Sequence, residues 1–212
     1  MIESFLQSLW SVPTSDMVNV FDPWNARSPD DIDEDAVQGR RQRLREHLSH
    51  ARPRLLCVGE APGANGCRVS GIPFTSERLL LDGSIPGVPR LCDRLTDRRL
   101  PYREQSATIV WGALYEAGIA ESTVLWNAFP WHPHQPDNSL KNRTPTRGER
   151  RLGLVLLKEL VEVLPDVVVA AVGKKACASM ADIGVSAHEL RHPANGGASL
   201  FRRQLAELAS RL

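Results

Sequence analysis

The sequence predicts an α/β fold: three layers, α/β/α, built around a four-stranded, mainly parallel central sheet. Two observations carry this. Short apolar runs bounded by Pro and Gly recur four times along the chain, and stretches with helical spacing of Leu and Val lie between them. Strands that alternate with helices pair in parallel, because each crossover needs a helix to return the chain, and those helices cover both faces of the sheet. In chain order, residues 1–50 form a helical preface: an amphipathic segment, the Pro-containing turn "NVFDPWN", and the acidic patch "DDIDED" opening a charged helix through "GRRQRLREHL". Acidic residues suit a helix start, where the macrodipole favours negative charge. "RPRLLCVGE" then places Leu55 to Val58 in the first buried strand. A helix over 104–118 leads to the second strand, "STVLWNAFP" (122–130). A helix over 147–163 leads to the third, "PDVVVAAVG" (165–173). A helix over 174–182 leads to the fourth and weakest, "VSAHEL" (185–190), and a last helix covers 199–211. The pieces 61–101 and 129–146 read as irregular, and ordered loops of that length tend to be functional.

With 212 residues, 42% of them hydrophobic, residues 1–212 are expected to form one domain with a substantial core. The 26 Lys and Arg against 25 Asp and Glu leave a formal charge of +1, so no whole-molecule field draws the chain to nucleic acid or membrane. Any polyanion site must be local. Cys57, Cys67, Cys92 and Cys177 form no CxxC pair, and neither a signal peptide nor an apolar run of spanning length is seen. Reduced thiols in a cytoplasmic monomer, with no membrane partner, are the expectation. The "WHPH" pair, His132 and His134, makes a poor zinc site at i and i+2 with no Cys or carboxylate cluster nearby. "VGKKA" is no phosphate loop, lacking the earlier Gly and the Ser/Thr after GK, and opens a helix instead.

Ligands of open α/β sheets bind outside the carboxyl ends of the strands, so the residues that follow each strand form one set. The first strand delivers Glu60 and a Gly/Pro loop. The second delivers Asn127 with "FPWHPH", the third Gly173 and Lys174, the fourth "RHPANGG" with His192. A carboxylate, an amide and an imidazole are thereby expected at one edge.

"GEAPGANGCRVSGIPF", "WNAFPWHPHQPDNSLKNRTP" and "RHPANGG" resemble, in order and spacing, the three motifs of the uracil-DNA glycosylase superfamily, closest to its family-4 pattern, over residues 55–203. The resemblance implies a monofunctional glycosylase of base excision repair that flips uracil out of single- or double-stranded DNA. Glycosidic cleavage builds positive charge on the sugar and negative charge on the base. Glu60 is then the group that stabilises the sugar and orients water, and His192 the donor to uracil O2. Asn127 offers one acceptor and two donors to uracil N3–H and O4, the reverse of cytosine's pattern. Phe74 is a stacking face for the extruded base. Gly59, Gly63, Gly66 and Gly71 let backbone approach the substrate closely, and Ala61 is a further substrate-binding candidate.

Lys141 and Arg143, with Arg147, Arg150 and Arg151, and then Asn195 and Arg202, are expected to position the DNA backbone. Leu200 or Phe201 is a candidate wedge for the base stack. Trp131 is the tryptophan most open to a platform role. Two features depart from the family. Gly63 stands where better-known members carry a thymine-excluding Tyr, and the cysteine pattern of the family-4 iron-sulfur cluster is missing, so no metal or other cofactor is expected. Glu77 in "IPFTSE" competes with Glu60 for the acidic role, and Glu60 is favoured by its place at a strand terminus. A catalytically silent binder of damaged or abasic DNA is the alternative, and a small-molecule hydrolase on the same sheet is a third.

Overall fold

A computed structural model describes residues 1–49 and 52–212; His50 and Ala51, the end of the preface, lie outside the described residues. The elements in order are α1 (Ile2–Ser11), β1 (Val20–Phe21), α2 (Ala36–Ser49), β2 (Leu55–Gly59), α3 (Cys67–Ser70), α4 (Glu77–Leu81), α5 (Gln105–Glu116), β3 (Thr123–Asn127), β4 (His132–Gln135), β5 (Asn138–Asn142), α6 (Arg147–Val163), β6 (Val168–Val172), α7 (Lys174–Asp182), β7 (His188–Leu190) and α8 (Ala198–Ala209). Four strands form a sheet of order β3-β2-β6-β7, and every neighbouring pair is parallel. The expected fold class is therefore the observed one.

Burial on both faces follows from the two-residue side-chain period of a strand. Leu56 and Val58 of β2, Trp126 of β3 and Ala171 of β6 point into a core shared with α1, α2, α6 and α7. Leu55, Cys57, Leu125 and Ala170 point the opposite way, into a core with α5 and α8. This explains why the strands read as unbroken apolar runs. Glycine brings α6 close to the sheet: a Cβ on Gly153 would stand 2.3 Å from the Ala128 carbonyl oxygen. Thr146 starts α6 with a capping box, its hydroxyl accepting from the Glu149 N–H while the Glu149 carboxylate accepts from the Thr146 N–H.

The first 49 residues contribute to this core. Phe5, Leu6 and Leu9 are fully buried, the Phe5 ring meets Trp126 edge-on at 5.3 Å, and Trp24 stacks on Trp126 at 6.3 Å. The acidic patch ends at Asp35, directly before α2, but its first two residues serve another purpose. The first turn of α2 holds no acid. Asp31 instead grips buried Arg40 at 2.8 and 3.1 Å, and Asp30 meets Arg68 at 3.2 Å and the Tyr102 hydroxyl at 2.5 Å. Two buried guanidinium groups need carboxylate partners more than a helix start does.

A second sheet, antiparallel and of order β1-β4-β5, occupies part of the piece read as irregular. Its hairpin is polar, Pro-containing and exposed along β5, which hides the strand period. Buried His132 ties it down, its ring nitrogens 2.9 Å from the Pro62 and Ser139 carbonyl oxygens. Among the described residues no helix is long and apolar enough to cross a membrane.

Candidate active site

The parallel strands end together, and their exits build one cleft. Gly59 pairs with Asn127 as the last rung between β2 and β3, and the ladder continues past both strands, with the Ala128 N–H donating to the Gly59 carbonyl and the Phe129 N–H to that of Glu60. This register puts Glu60 and Asn127 side by side. The cleft, about 520 Å³, is lined by Glu60, Ala61, Phe74, Asn127, Arg143 and His192 of the expected residues, and by Gly63, Glu104, Asn142, Lys174 and Lys175 among others.

Asn127 is 3% exposed, and nothing among the described residues takes up its side-chain amide. A buried amide left open toward a cleft is held for a ligand. Phe74 lies beside it at φ 50°, a left-handed conformation uncommon for a bulky residue. The loop is held there by the Ser70 hydroxyl, which accepts from the Ile72 N–H at 3.0 Å and donates to the Thr75 carbonyl at 2.7 Å. Gly59 does not line the cleft; it makes room for the residues that do. A Cβ there would stand 2.5 Å from the Phe74 ring and 2.8 Å from Asn127 Oδ1.

His192 enters from the loop after β7. Its Nδ1 accepts from the Ala194 N–H at 3.1 Å, which leaves Nε2 as the N–H donor of the neutral ring. Burial, helped by the charge of Arg191, holds its pKa below the ordinary imidazole value. The loop closes tightly enough that a Cβ on Gly197 would stand 2.0 Å from the His192 carbonyl oxygen. Glu60 is half-buried and ion-paired with Lys175 at 3.0 Å. The Lys175 ammonium also donates to the Thr144 hydroxyl at 2.5 Å. Lys174 was expected at this edge, after the third strand; Lys175 in the lining is an addition.

Glu77 is placed elsewhere. It is fully buried, and its carboxylate accepts from Arg94, from the Leu95, Thr96 and Tyr102 N–H groups and from the Thr96 hydroxyl, at 2.8 to 3.1 Å. It anchors the 94–102 segment, and of the two acids only Glu60 reaches the cleft. Burial alone would raise the pKa of Glu77, but these hydrogen bonds outweigh burial and lower it. A carboxyl lowered on folding contributes stability that is complete above its ordinary titration range and is lost as pH falls through the lowered value. Glu77→Ala is therefore expected to destabilise by about 3 kcal/mol at neutral pH. The gap from wild type should shrink in acid, as urea titrations across that range would read.

Of the expected DNA contacts, Lys141 lies exposed on β5 and Asn195 is exposed at φ 53°. Arg143 reaches the cleft, but its guanidinium is held by Glu149 at 2.6 and 2.7 Å and by the His134, Val18 and Asn19 carbonyls. Arg202 faces α5, paired with Glu116 at 2.5 Å, and is absent from the cleft lining. Arg147 and Arg150 line an adjoining hollow of about 340 Å³ that shares Glu60 and Lys175 with the cleft. Phe201 is fully buried in the core, which leaves only Leu200, 37% exposed, of the two wedge candidates. Trp131 is likewise buried, packed edge-on against Phe129 at 5.3 Å, and offers no platform. All four cysteines are free, and among the described residues no three His, Cys, Asp or Glu side chains are grouped to hold a metal ion.

Neither Glu104 nor Asn142 was named as a site residue. Glu104 lies outside the three motifs, immediately before the helix that leads into the second strand, whereas Asn142 stands inside the second motif, at the end of β5.

Comparison with known proteins agrees with this geometry. The model of the uracil DNA glycosylase superfamily matches residues 46–208. A crystal structure of wild-type Pedobacter heparinus SMUG2 is similar, with a TM-score of 0.62 at 14% identity, covering 98% of this chain and 96% of that one. At that identity the likeness speaks for the fold. No curated protein matches in sequence. Sheet order, cleft and family model converge: the chain belongs to the uracil DNA glycosylase superfamily, and its class of activity is that of a DNA glycosylase.

Proposed function

We propose that the protein excises uracil from DNA by hydrolysing the glycosidic bond and leaves an abasic site without cutting the strand. The observation that carries this is the open Asn127 amide in the same cleft as Glu60, His192 and the Phe74 ring. Asn127 reads N3–H with its oxygen and O4 with its NH₂, while Phe74 stacks on the extruded base. As the bond from N1 to C1′ breaks, its electron pair passes to the base. The Nε2–H of neutral His192 donates to O2, where that charge collects, and does so without the cost of deprotonating an imidazolium. The Glu60 carboxylate, oriented by Lys175, balances the cationic sugar and orients the water that adds to C1′, and the proton this water releases neutralises the uracil anion. The products are uracil and an abasic site, as expected for a monomer acting on single- or double-stranded DNA.

The test is base release from a uracil-containing oligonucleotide. Wild type is expected to yield free uracil and DNA that breaks only after alkali, and His192→Ala to lower the single-turnover rate about 10²-fold or more. Strand breaks before alkali would assign a Schiff-base role to Lys174 or Lys175 in place of hydrolysis. Equal binding of uracil-containing and ordinary DNA with no base released would favour the catalytically silent reading.

A further inference from the structure

Glu104 lines the cleft from the N-terminus of α5, and the reaction described above does not use it. A polar side chain at a helix start normally turns back onto the free N–H groups of the first turn. The Glu104 side chain makes no such cap. Its Oε2 is buried and has no partner among the described residues, although the residue keeps some exposure elsewhere. The loop after β2 is shaped around the carboxyl. A Cβ on Gly66 would stand 1.9 Å from Oε2, and one on Gly63 would stand 2.7 Å from Oε1. Leaving a buried polar group unsatisfied costs about 1–3 kcal/mol, so a carboxyl kept this way beside a cleft is held for what enters the cleft.

The chemistry follows from its protonation. Burial pushes the carboxyl up to about 7, so at neutral pH the uncharged form, which carries an O–H donor, is populated. The other titratable or charged groups facing this space are Cys67 of α3, Glu60, Arg143, Lys174, Lys175, Arg191 and His192. Burial, and next the Glu104 charge itself, hold the Cys67 thiol well above its ordinary value, while His192 titrates below its own. Neither competes with Glu104 for a transition at about 7.

We infer, on the basis of the uracil reading, that neutral Glu104 donates its O–H to the carbonyl oxygen of the extruded base that Asn127 also contacts, and so selects an oxo base over an amino base. A carbonyl oxygen has two lone pairs, one for the Asn127 NH₂ and one for Glu104. The amino group of cytosine would set N–H against O–H, leaving two donors facing one another.

The experiment uses the full chain. Uracil release is measured from about pH 5.5 to 9, where the rate of wild type is expected to fall above about 7 as the carboxyl ionises. Glu104→Gln keeps a donor and cannot ionise, so it should retain activity and lose that alkaline limb. Glu104→Ala should lose about 10–100-fold below about pH 7, with the gap from wild type closing above it, where wild type has itself lost the donor. A readout independent of turnover comes from carbon NMR of glutamate-labelled protein, with the Glu104 signal assigned by its loss in Glu104→Gln. Free uracil should raise the apparent pKa of that carboxyl, because it binds the protonated form, and cytosine should leave it unmoved. An unmoved carboxyl in protein saturated with uracil, or wild-type rates and pH profile in both variants, overturns this inference and leaves the glycosylase reading standing. Failure of wild type both to bind and to release uracil overturns the two together.

Discussion

Replacing Asn127 with Ala is expected to lower uracil release about 10³-fold while leaving the fold intact. The side chain is buried at the last position of β3, yet no group of the protein depends on its amide. Its removal therefore leaves no protein partner unsatisfied, and the cost falls on the bound base. An isosteric hydrophobic pocket discriminates weakly between pyrimidines, but a site that must satisfy a specific donor and acceptor loses most of its transition-state binding when the reader is gone. Single-turnover rates on a uracil-containing oligonucleotide, set beside melting temperatures, separate the two effects. A variant that melts like wild type and still releases uracil at a comparable rate would remove Asn127 from base recognition.

Arg40→Ala is expected to destabilise the protein by about 3–5 kcal/mol. Arg40 is 1% exposed, and its guanidinium donates to the Pro23 carbonyl at 2.5 Å, the Ala26 carbonyl at 2.8 Å and both oxygens of Asp31 at 2.8 and 3.1 Å. Truncation strands the Asp31 carboxylate, whose side chain is 2% exposed, in the interior without a counter-charge. The backbone of Arg40 also packs against Gly71, at φ 81°, where a Cβ would stand 2.8 Å from the Arg40 Cα. Gly71 leads into the loop that sets Phe74, so damage at α2 should also loosen the stacking face. Urea unfolding measures the loss. A double-mutant cycle with Asp31→Ala should show the double variant losing clearly less than the two single losses combined, since the stranded charge is then gone. Simple additivity would count against the ion pair as the cause.

The strands were legible because a parallel sheet covered on both faces demands uninterrupted apolar runs, and three of the four runs here stand clear of their Pro and Gly borders. The helices over 147–163 and 174–182 fall where helical spacing placed them. The β4–β5 hairpin did not show, because exposed polar strands with proline carry no two-residue apolar period; what holds them is His132, reaching to the Ser139 carbonyl of β5 and the Pro62 carbonyl in another loop. The acidic patch misled for a related reason. Its first two charges, Asp30 and Asp31, answer to Arg68 and Arg40, whose burial is a property of the packed molecule.

The amino-acid sequence by itself determined the layers of the fold and which residues stand at strand ends, because burial period and chain direction are local properties. That placed Glu60, Asn127 and His192 on one edge before any coordinates. Only the tertiary structure decided between Glu60 and Glu77, paired Arg143 and Arg202 with carboxylates, buried Phe201 and Trp131, and left Oε2 of Glu104 unpartnered beside the cleft. Those outcomes depend on which side chains find partners across long sequence separations, and a carboxylate or guanidinium reads the same in sequence whether it meets a counter-charge, a row of N–H groups or an open cavity.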